Sequence, residues 1–540
     1  MTAAGESDSR VDVAIVGGGH NALVAATLLA RTGLTVVVLE RLGQVGGAAV
    51  SERPFAGIDA RLSRYSYLVS LFPDALAVEL GLHVELRSRS TASYTPTFRA
   101  GRHRGLLVES APGSATVESF ANLTGSPAAW TAWKGFYDDV SLLASVVAPT
   151  FLEPLPSVLD LRERLRSIAG DRADDLWASL VDEPLGAVLR DRFDDDLVRG
   201  VVATDGLIGT FTSLDDEALL ANRCFLYHLV GNGTGEWRVP VGGMGRLTTS
   251  LAALASSAGA DVRTHAEVTS IEADGSAASV HYVDTRSGAE HTVEAAWVLA
   301  GVAPAVLSSL LGAVSSSNRP QGAQLKVNLV LTRLPRLRSG VDPSVAFAGT
   351  FHVDETAADL ELAYAQAYAG HLPDRIPGEV YCHTLTDRSI LGPALDQAGW
   401  HTLTYFGVHT PAGLFGGDDR AAVTATAVTR ALTGLDEYLA EPLADCLAID
   451  ANGSPCIEVK SPLDIEDELG MPGGHIFHGD LQWPWVADSA AADSPAAAWG
   501  VATSVRNVLL CGAGARRGGA VSGIGGHNAA QALLELTNPR

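Results

Sequence analysis

Lysine is scarce in this 540-residue sequence: it stands only at Lys134, Lys326 and Lys460. Lysine and arginine together number 38 against 62 acids, a formal charge of -24. Such a balance disfavours nucleic acid and anionic membrane surfaces as general partners. Cysteine is also sparse, and Cys224, Cys382, Cys446, Cys456 and Cys511 include no C-x-x-C or C-x-x-x-x-C pair. That removes a redox dithiol and a compact cysteine-ligated zinc or iron–sulphur site, and leaves five structural thiols. No run of about 18 uncharged apolar residues marks a membrane span. The first ten residues, MTAAGESDSR, have neither a basic nor an apolar stretch, so no secretory signal is expected and the cytoplasm is the default location. No fixed-period repeat is visible.

What is present is concentrated between Asp12 and Gly47. Val13 to Val16 is a short apolar run, Gly17, Gly19 and Ala22 form G-x-G-x-x-A, an Ala/Leu-rich segment follows, and Thr35 to Leu39 is a second apolar run. The order is strand, turn, helix, strand. The first glycine permits the tight turn, the second lets the backbone approach a pyrophosphate, and Ala22 lets the helix sit close on the strand. A phosphate there faces free N–H groups and the positive end of the helix dipole. Glu40, 23 residues after Gly17, is placed to accept hydrogen bonds from an adenosine ribose and to repel a 2′-phosphate.

At this length two or three domains are expected. The reading is α/β: a discontinuous Rossmann domain from residues 1–60, 238–302 and 486–540, with a substrate domain from 61–237 and 303–485. Helical patterning is read from Arg61 to Pro73 and onward through Thr116 to Val147 and Val158 to Val198. The chain returns through the glycine-rich 231–247. Strands are expected at Asp261 to Arg263, Ala266 to Ile271, Ala278 to Tyr282 and Ala296 to Ala300, then at Leu325 to Leu331 and Gly378 to Thr384. Residues 487–498, ADSAAADSPAAA, are low in complexity and read as a mobile surface loop. Asn507 to Cys511 reads as a final strand before a glycine-rich turn and a C-terminal helix.

Arg41, Gly46 and Gly47 extend the ribose acid into E-R-x-x-x-x-G-G, which resembles flavoproteins of the glutathione-reductase type, in the subgroup with amine oxidases and phytoene desaturases. Ala48 stands where many of them have arginine. The stretches VGGGHNALVAA, SRYSYLVSLF, ATDGLIGTFTS, PVGGMGRL, SPLDIEDELGMPGGHIFHGD and CGAGARRGG resemble the phytoene-dehydrogenase-like flavoproteins, closest to the branch of pyridine nucleotide-disulphide oxidoreductase domain-containing protein 2. They spread over residues 16 to 519. The resemblance implies a non-covalent FAD in a glutathione-reductase-type domain. It implies that Val268 contacts the adenine, and that Gly512, Gly514, Val521 and Gly523 lie near the flavin, with the C-terminal helix facing the pyrimidine end of the ring. Relatives often have His-Pro where this chain has Arg516 and Arg517, a pair that binds an anion or is solvated.

One dinucleotide turn without a second implies one flavin whose electrons leave to oxygen, a quinone or another acceptor. The expected function is FAD-dependent oxidation of a C–C or C–N bond in an apolar or amphipathic small molecule. An amine oxidase is the alternative among enzymes, and an FAD-containing partner-binding or regulatory protein the alternative of another class. Lys326 is the candidate catalytic residue, because it resembles the amine-oxidase lysine that holds a water at flavin N5. Tyr65 and Tyr67 could line an apolar substrate cavity. His475 and His478 are read as substrate-facing or structural, and no metal is expected, since Asp480 is the only further ligand at hand.

Overall fold

A computed structural model describes residues 7–538 apart from 314–318, 489 and 491. It contains two seven-stranded sheets. The first runs Ala266–Ala273, Ala278–Asp284, Glu290–Ala300, Ser7–Val16, Val36–Leu39, Asp261–Arg263, with Val508–Leu510 paired to the far end of Glu290–Ala300. Ser7–Val16 lies parallel to both its neighbours, and the strands before Glu290 form an antiparallel meander. Val13, Ala14 and Ile15 are completely buried. Covered on both faces, a parallel strand needs apolar residues at every position, which is why this one reads as a continuous run rather than an alternation.

The helix His20–Arg31 follows directly. Alanine and leucine, the strongest helix formers, fill it, and it is buried from His20 through Ala30. It is wedged among the sheet and the helices Met244–Ser257 and Ile524–Thr537. Gly526 makes the last contact possible: a β-carbon there would lie 1.8 Å from the Asn21 carbonyl oxygen. Gly526→Ala therefore forces two buried helices apart, and is expected to lower stability by about 1–3 kcal/mol, read as a fall in the urea midpoint.

The second sheet runs Ile457–Lys460, Leu325–Leu331, His401–Gly407, Gly378–Tyr381, Thr350–Val353, Thr91–Arg99, Arg102–Glu109. In Leu325–Leu331, Leu325, Val327 and Leu329 pack with Phe351, Val380 and Tyr405 in one core. Strand alternation sends Lys326 and Asn328 to the opposite face. A third core gathers the helices Ala128–Val147, Val158–Ala169 and Leu220–Leu229.

Three segments differ from the sequence reading. Thr91–Arg99 and Arg102–Glu109 form a hairpin inside the stretch read as helical. Its turn residues Ala100 and Gly101 both have positive φ, 49° and 74°, the geometry that matches the twist of paired strands. Arg61 to Pro73 is not helical: it contains the two-residue strand Leu62–Ser63 and otherwise runs irregularly. Its apolar residues Leu62, Tyr65, Tyr67 and Leu68 keep no steady period, and only Tyr65-Ser66-Tyr67 alternates. Within 487–498, Pro495–Ala498 is a short helix capped by Ser494, with Ala496 buried; residues 489 and 491 lie outside the described residues.

Candidate functional site

One cavity runs between the two sheets. Its lining includes Gly17, Gly19, Ala22 and Glu40 at one end, Gly512, Ala513 and Val521 from the C-terminal turn, and Tyr65, Tyr67 and Lys326 from the second layer. Gly47, Ala48 and His478 also face it. Of the other sequence candidates, Arg41, Gly46, Val268, Gly514, Gly523 and His475 lie outside this lining.

Gly17 has φ +87°, so the turn needs glycine there, whereas Gly19 has φ -67° and ψ 168°, open to any residue. A β-carbon on Gly19 would meet no protein atom within 4 Å. The space above it is a cradle bounded by the uncapped N-terminus of His20–Arg31. Gly47, φ +57°, presses on the turn: its β-carbon would lie 3.4 Å from the Gly19 Cα. Gly46 donates its N–H to the Gly18 carbonyl at 2.9 Å. Glu40 closes the end, its carboxylate accepting the N–H groups of Gly18 at 2.7 Å and Leu42 at 2.8 Å. Open backbone, a helix N-terminus and a buried acid at the strand end fit a dinucleotide pyrophosphate and ribose.

Lys326 is 1% exposed. Its Nζ donates to the main-chain carbonyls of Ser63 at 2.7 Å and Tyr65 at 2.6 Å and stands 5.0 Å from the centroid of the Tyr67 ring. Both carbonyls come from the segment misread as helix; a helix would have engaged them internally. Burial pulls the Lys326 ammonium down to about 7, opposed by the Glu458 carboxylate. Tyr65 turns its hydroxyl to Glu468, which Lys460 also engages.

His478 has φ +64°, and its Nδ1 is buried without a partner. Burial holds its imidazole down at about 4, helped by His475 and His20. His475 instead accepts the Phe477 N–H at 3.3 Å, with Nε2 at 3.7 Å from Asp480. Val268 is half-buried on its strand, opposite Tyr282. Gly514 abuts Pro304 and Gly523 caps Ile524–Thr537 against Phe72. Arg41 donates to the Glu468 carbonyl at 2.8 Å. Arg517, read as solvated or anion-binding, is 1% exposed and donates to the carbonyls of Thr150 and, at 2.8 Å, Glu153. The end of a 3-10 helix supplied acceptors that no sequence pattern announces.

Sequence reasoning missed His20, Trp237, Phe406 and Met471 in the lining. It also missed a second cavity that shares Trp237 and is faced by Arg89, Asp205, His352 and Glu379. His352 and Glu379, and Glu355 behind that lining, are each at least 97% buried. Burial pushes Asp205 up to about 7, and Glu355 and Glu379 up to about 8. The readable signal was a titratable residue in each of two short, wholly buried strands, TFHV and GEVY.

With this geometry in hand, comparison places the chain among known proteins. The family described as "Flavin containing amine oxidoreductase" matches residues 23–330. An uncharacterized protein of Mycobacterium tuberculosis is 49% identical over 98% of both chains. Pyridine nucleotide-disulfide oxidoreductase domain-containing protein 2 of Rattus norvegicus is 28% identical, over 97% of this chain and 93% of the relative. A putrescine oxidase solved with putrescine bound shares the fold, with a TM-score of 0.56 and 21% identity over 98% of this chain and 100% of the other.

Proposed function

The chain belongs to the flavin containing amine oxidoreductase family and is an FAD-dependent oxidoreductase, and from that premise we propose that it oxidises a C–C or C–N bond in an apolar or amphipathic small molecule, as a phytoene-dehydrogenase-like member with a glutathione-reductase-type FAD domain. The supporting observation is the composition of the first cavity. Its walls beyond the cradle are mostly apolar, with Leu68, Ile208, Trp237, Phe406 and Met471 beside the polar His228, Gln324, Lys326 and His478, and among the described residues its one carboxylate, Glu40, is already engaged by main-chain N–H groups. A substrate ammonium would find no counter-ion beside it there, so burial favours an uncharged reacting group.

On this reading residues 1–60, 238–302 and 486–540 hold the cofactor, with Gly17, Gly19 and Ala22 at the pyrophosphate, Glu40 at the ribose, and Gly512 and Val521 near the ring. Bound FAD supplies the hydride acceptor, and oxygen, a quinone or another acceptor then takes the electrons. Around it the apolar walls exclude water. Lys326, fixed by two carbonyls, holds a proton or a water at Nζ, and the Tyr67 ring lies within cation–π distance of the ammonium.

Amine oxidation is the second reading, favoured by the family itself. Anaerobic mixing with neutral amphipathic alkenes and with amines separates them: rapid flavin bleaching by the first supports C–C oxidation, and bleaching by amines alone selects C–N oxidation and the amine-oxidase reading. A protein bleached by neither would act as a binding module. NADH and NADPH are expected to reduce the flavin poorly, because one dinucleotide turn is present; fast, saturable reduction in a stopped-flow experiment would refute that. Among the described residues no helix is long and apolar enough to cross a membrane, and a cytoplasmic location is part of the proposal.

A further inference from the structure

The second cavity carries chemistry that the flavin does not use. We propose that His352, Glu355 and Glu379 form a binding site for a divalent transition-metal cation, zinc or manganese, in the wall of that cavity. One nitrogen from the imidazole and one oxygen from each carboxylate lie within 4.8 Å of one another. Zinc holds nitrogen and oxygen at about 2.0–2.2 Å, so small side-chain rotations bring all three into one coordination sphere. An imidazole with two carboxylates is a donor set for zinc or manganese rather than for copper(I) or an iron–sulphur cluster.

The charges in the cluster are unbalanced. Among the described residues, no lysine or arginine nitrogen lies within 4.0 Å of the Glu355, Glu379 or Asp205 carboxylates; the contact within reach is that of His352 Nδ1 with Glu355. Arg89 faces the same cavity, but it donates to Thr350 Oγ1 at 3.1 Å and lies 5.8 Å from the Tyr381 ring. Three carboxyls beside one guanidinium, away from water, are relieved either by taking up protons or by a cation that joins them.

A second observation points to a ligand. His352 is 3% exposed and lines the cavity; its Nδ1 faces Glu355, and among the described residues no protein group hydrogen-bonds its Nε2. An ion shared with Glu355 would replace that hydrogen bond at Nδ1, while Nε2 stays open to the cavity. The supporting shell is in place as well: the Thr204 hydroxyl donates to Glu355 at 3.1 Å and the Tyr381 hydroxyl donates to Glu379. Such outer partners orient ligating carboxylates and raise affinity. Asp205 lines the same cavity but is outside the group of ligand atoms within 4.8 Å, so water from the cavity would complete the coordination.

The test uses the flavin-loaded, full-length protein, dialysed against chelator and then against zinc chloride or manganese chloride. Mass spectrometry of the metal should find about one ion per chain. His352→Ala and the near-isosteric Glu379→Gln should lose it while keeping the flavin absorbance and the circular dichroism of the parent. Thr204→Val should weaken binding by about 10–100-fold, and His475→Ala should leave it unchanged. The proposal is overturned if the parent protein retains no ion, if the cluster variants retain it, or if His475→Ala removes it.

Discussion

Gly19→Val should give a folded, colourless protein. The backbone at Gly19 is extended, with φ -67° and ψ 168°, so a β-branched residue adopts it without strain. A β-carbon there meets no protein atom within 4 Å. The apo variant should therefore unfold within about 0.5 kcal/mol of apo parent protein. Its new methyl groups instead fill the cradle above the N-terminus of His20–Arg31, where the pyrophosphate must touch the backbone. Nearly all flavin should be lost, measured as absorbance per chain after purification, and loaded parent should melt higher than the variant because only the parent gains ligand linkage. Gly526→Ala is the contrasting control, since its clash is with Asn21 and so with the fold. A Gly19→Val protein carrying a full complement of FAD would disprove the assignment of the turn.

Lys326→Met should separate the two halves of turnover. The side chain is buried, tied to two carbonyls, and has its ammonium lowered to about 7. Near neutrality it passes between cation and amine, and the cation is the form present below about 7. A fixed cation stabilises negative charge developing as electrons pass to oxygen. Oxygen-dependent reoxidation should thus fall as pH rises through 7, and the variant should lose both the inflection and about 10²–10⁴-fold of the rate. Reduction by substrate should change far less. Stability gives an independent readout. The unfolded chain binds this proton up to about 10.5, the folded chain only to about 7, so stability from this group rises with pH between those values. That rise should be absent from the variant. Equal slowing of both half-reactions, with the inflection intact, would sink the role given to Lys326.

The turn, the acid and the first helix were legible because they depend on neighbours in sequence: Gly17 on its own φ, Ala22 on packing one turn away, Glu40 on ending a strand. Lys326 was legible as a scarce residue in an apolar strand. Its partners were not, because the carbonyls of Ser63 and Tyr65 become available only when Arg61 to Pro73 is extended, and that is decided by the distant sheet it lies against. The 91–109 hairpin was hidden among helical segments, and its turn pair Ala100-Gly101 is not one of the dipeptides that announce a two-residue hairpin. The cluster of His352, Glu355 and Glu379 joins residues that no periodicity links, and Arg517 finds its acceptors more than 360 positions away. Buried polar partnerships of this range leave no local trace.

The pairing of Ser7–Val16 with Glu290–Ala300, and of Glu290–Ala300 with Val508–Leu510, also governs how the chain is made. Roughly 500 residues separate the first of these strands from the last, which at about 5–20 residues per second of synthesis is on the order of 25–100 s. During that interval the open edge belongs first to Ser7–Val16, until Glu290–Ala300 is made, and then to the end of Glu290–Ala300, until Val508–Leu510 is made. Unpaired edges template pairing with other chains, and long-range partners make folding slow. The last three-residue strand thus closes the edge only once almost all of the polypeptide has left the ribosome, and loss of that strand would be felt first as low yield from aggregation, before any defect in chemistry could be measured.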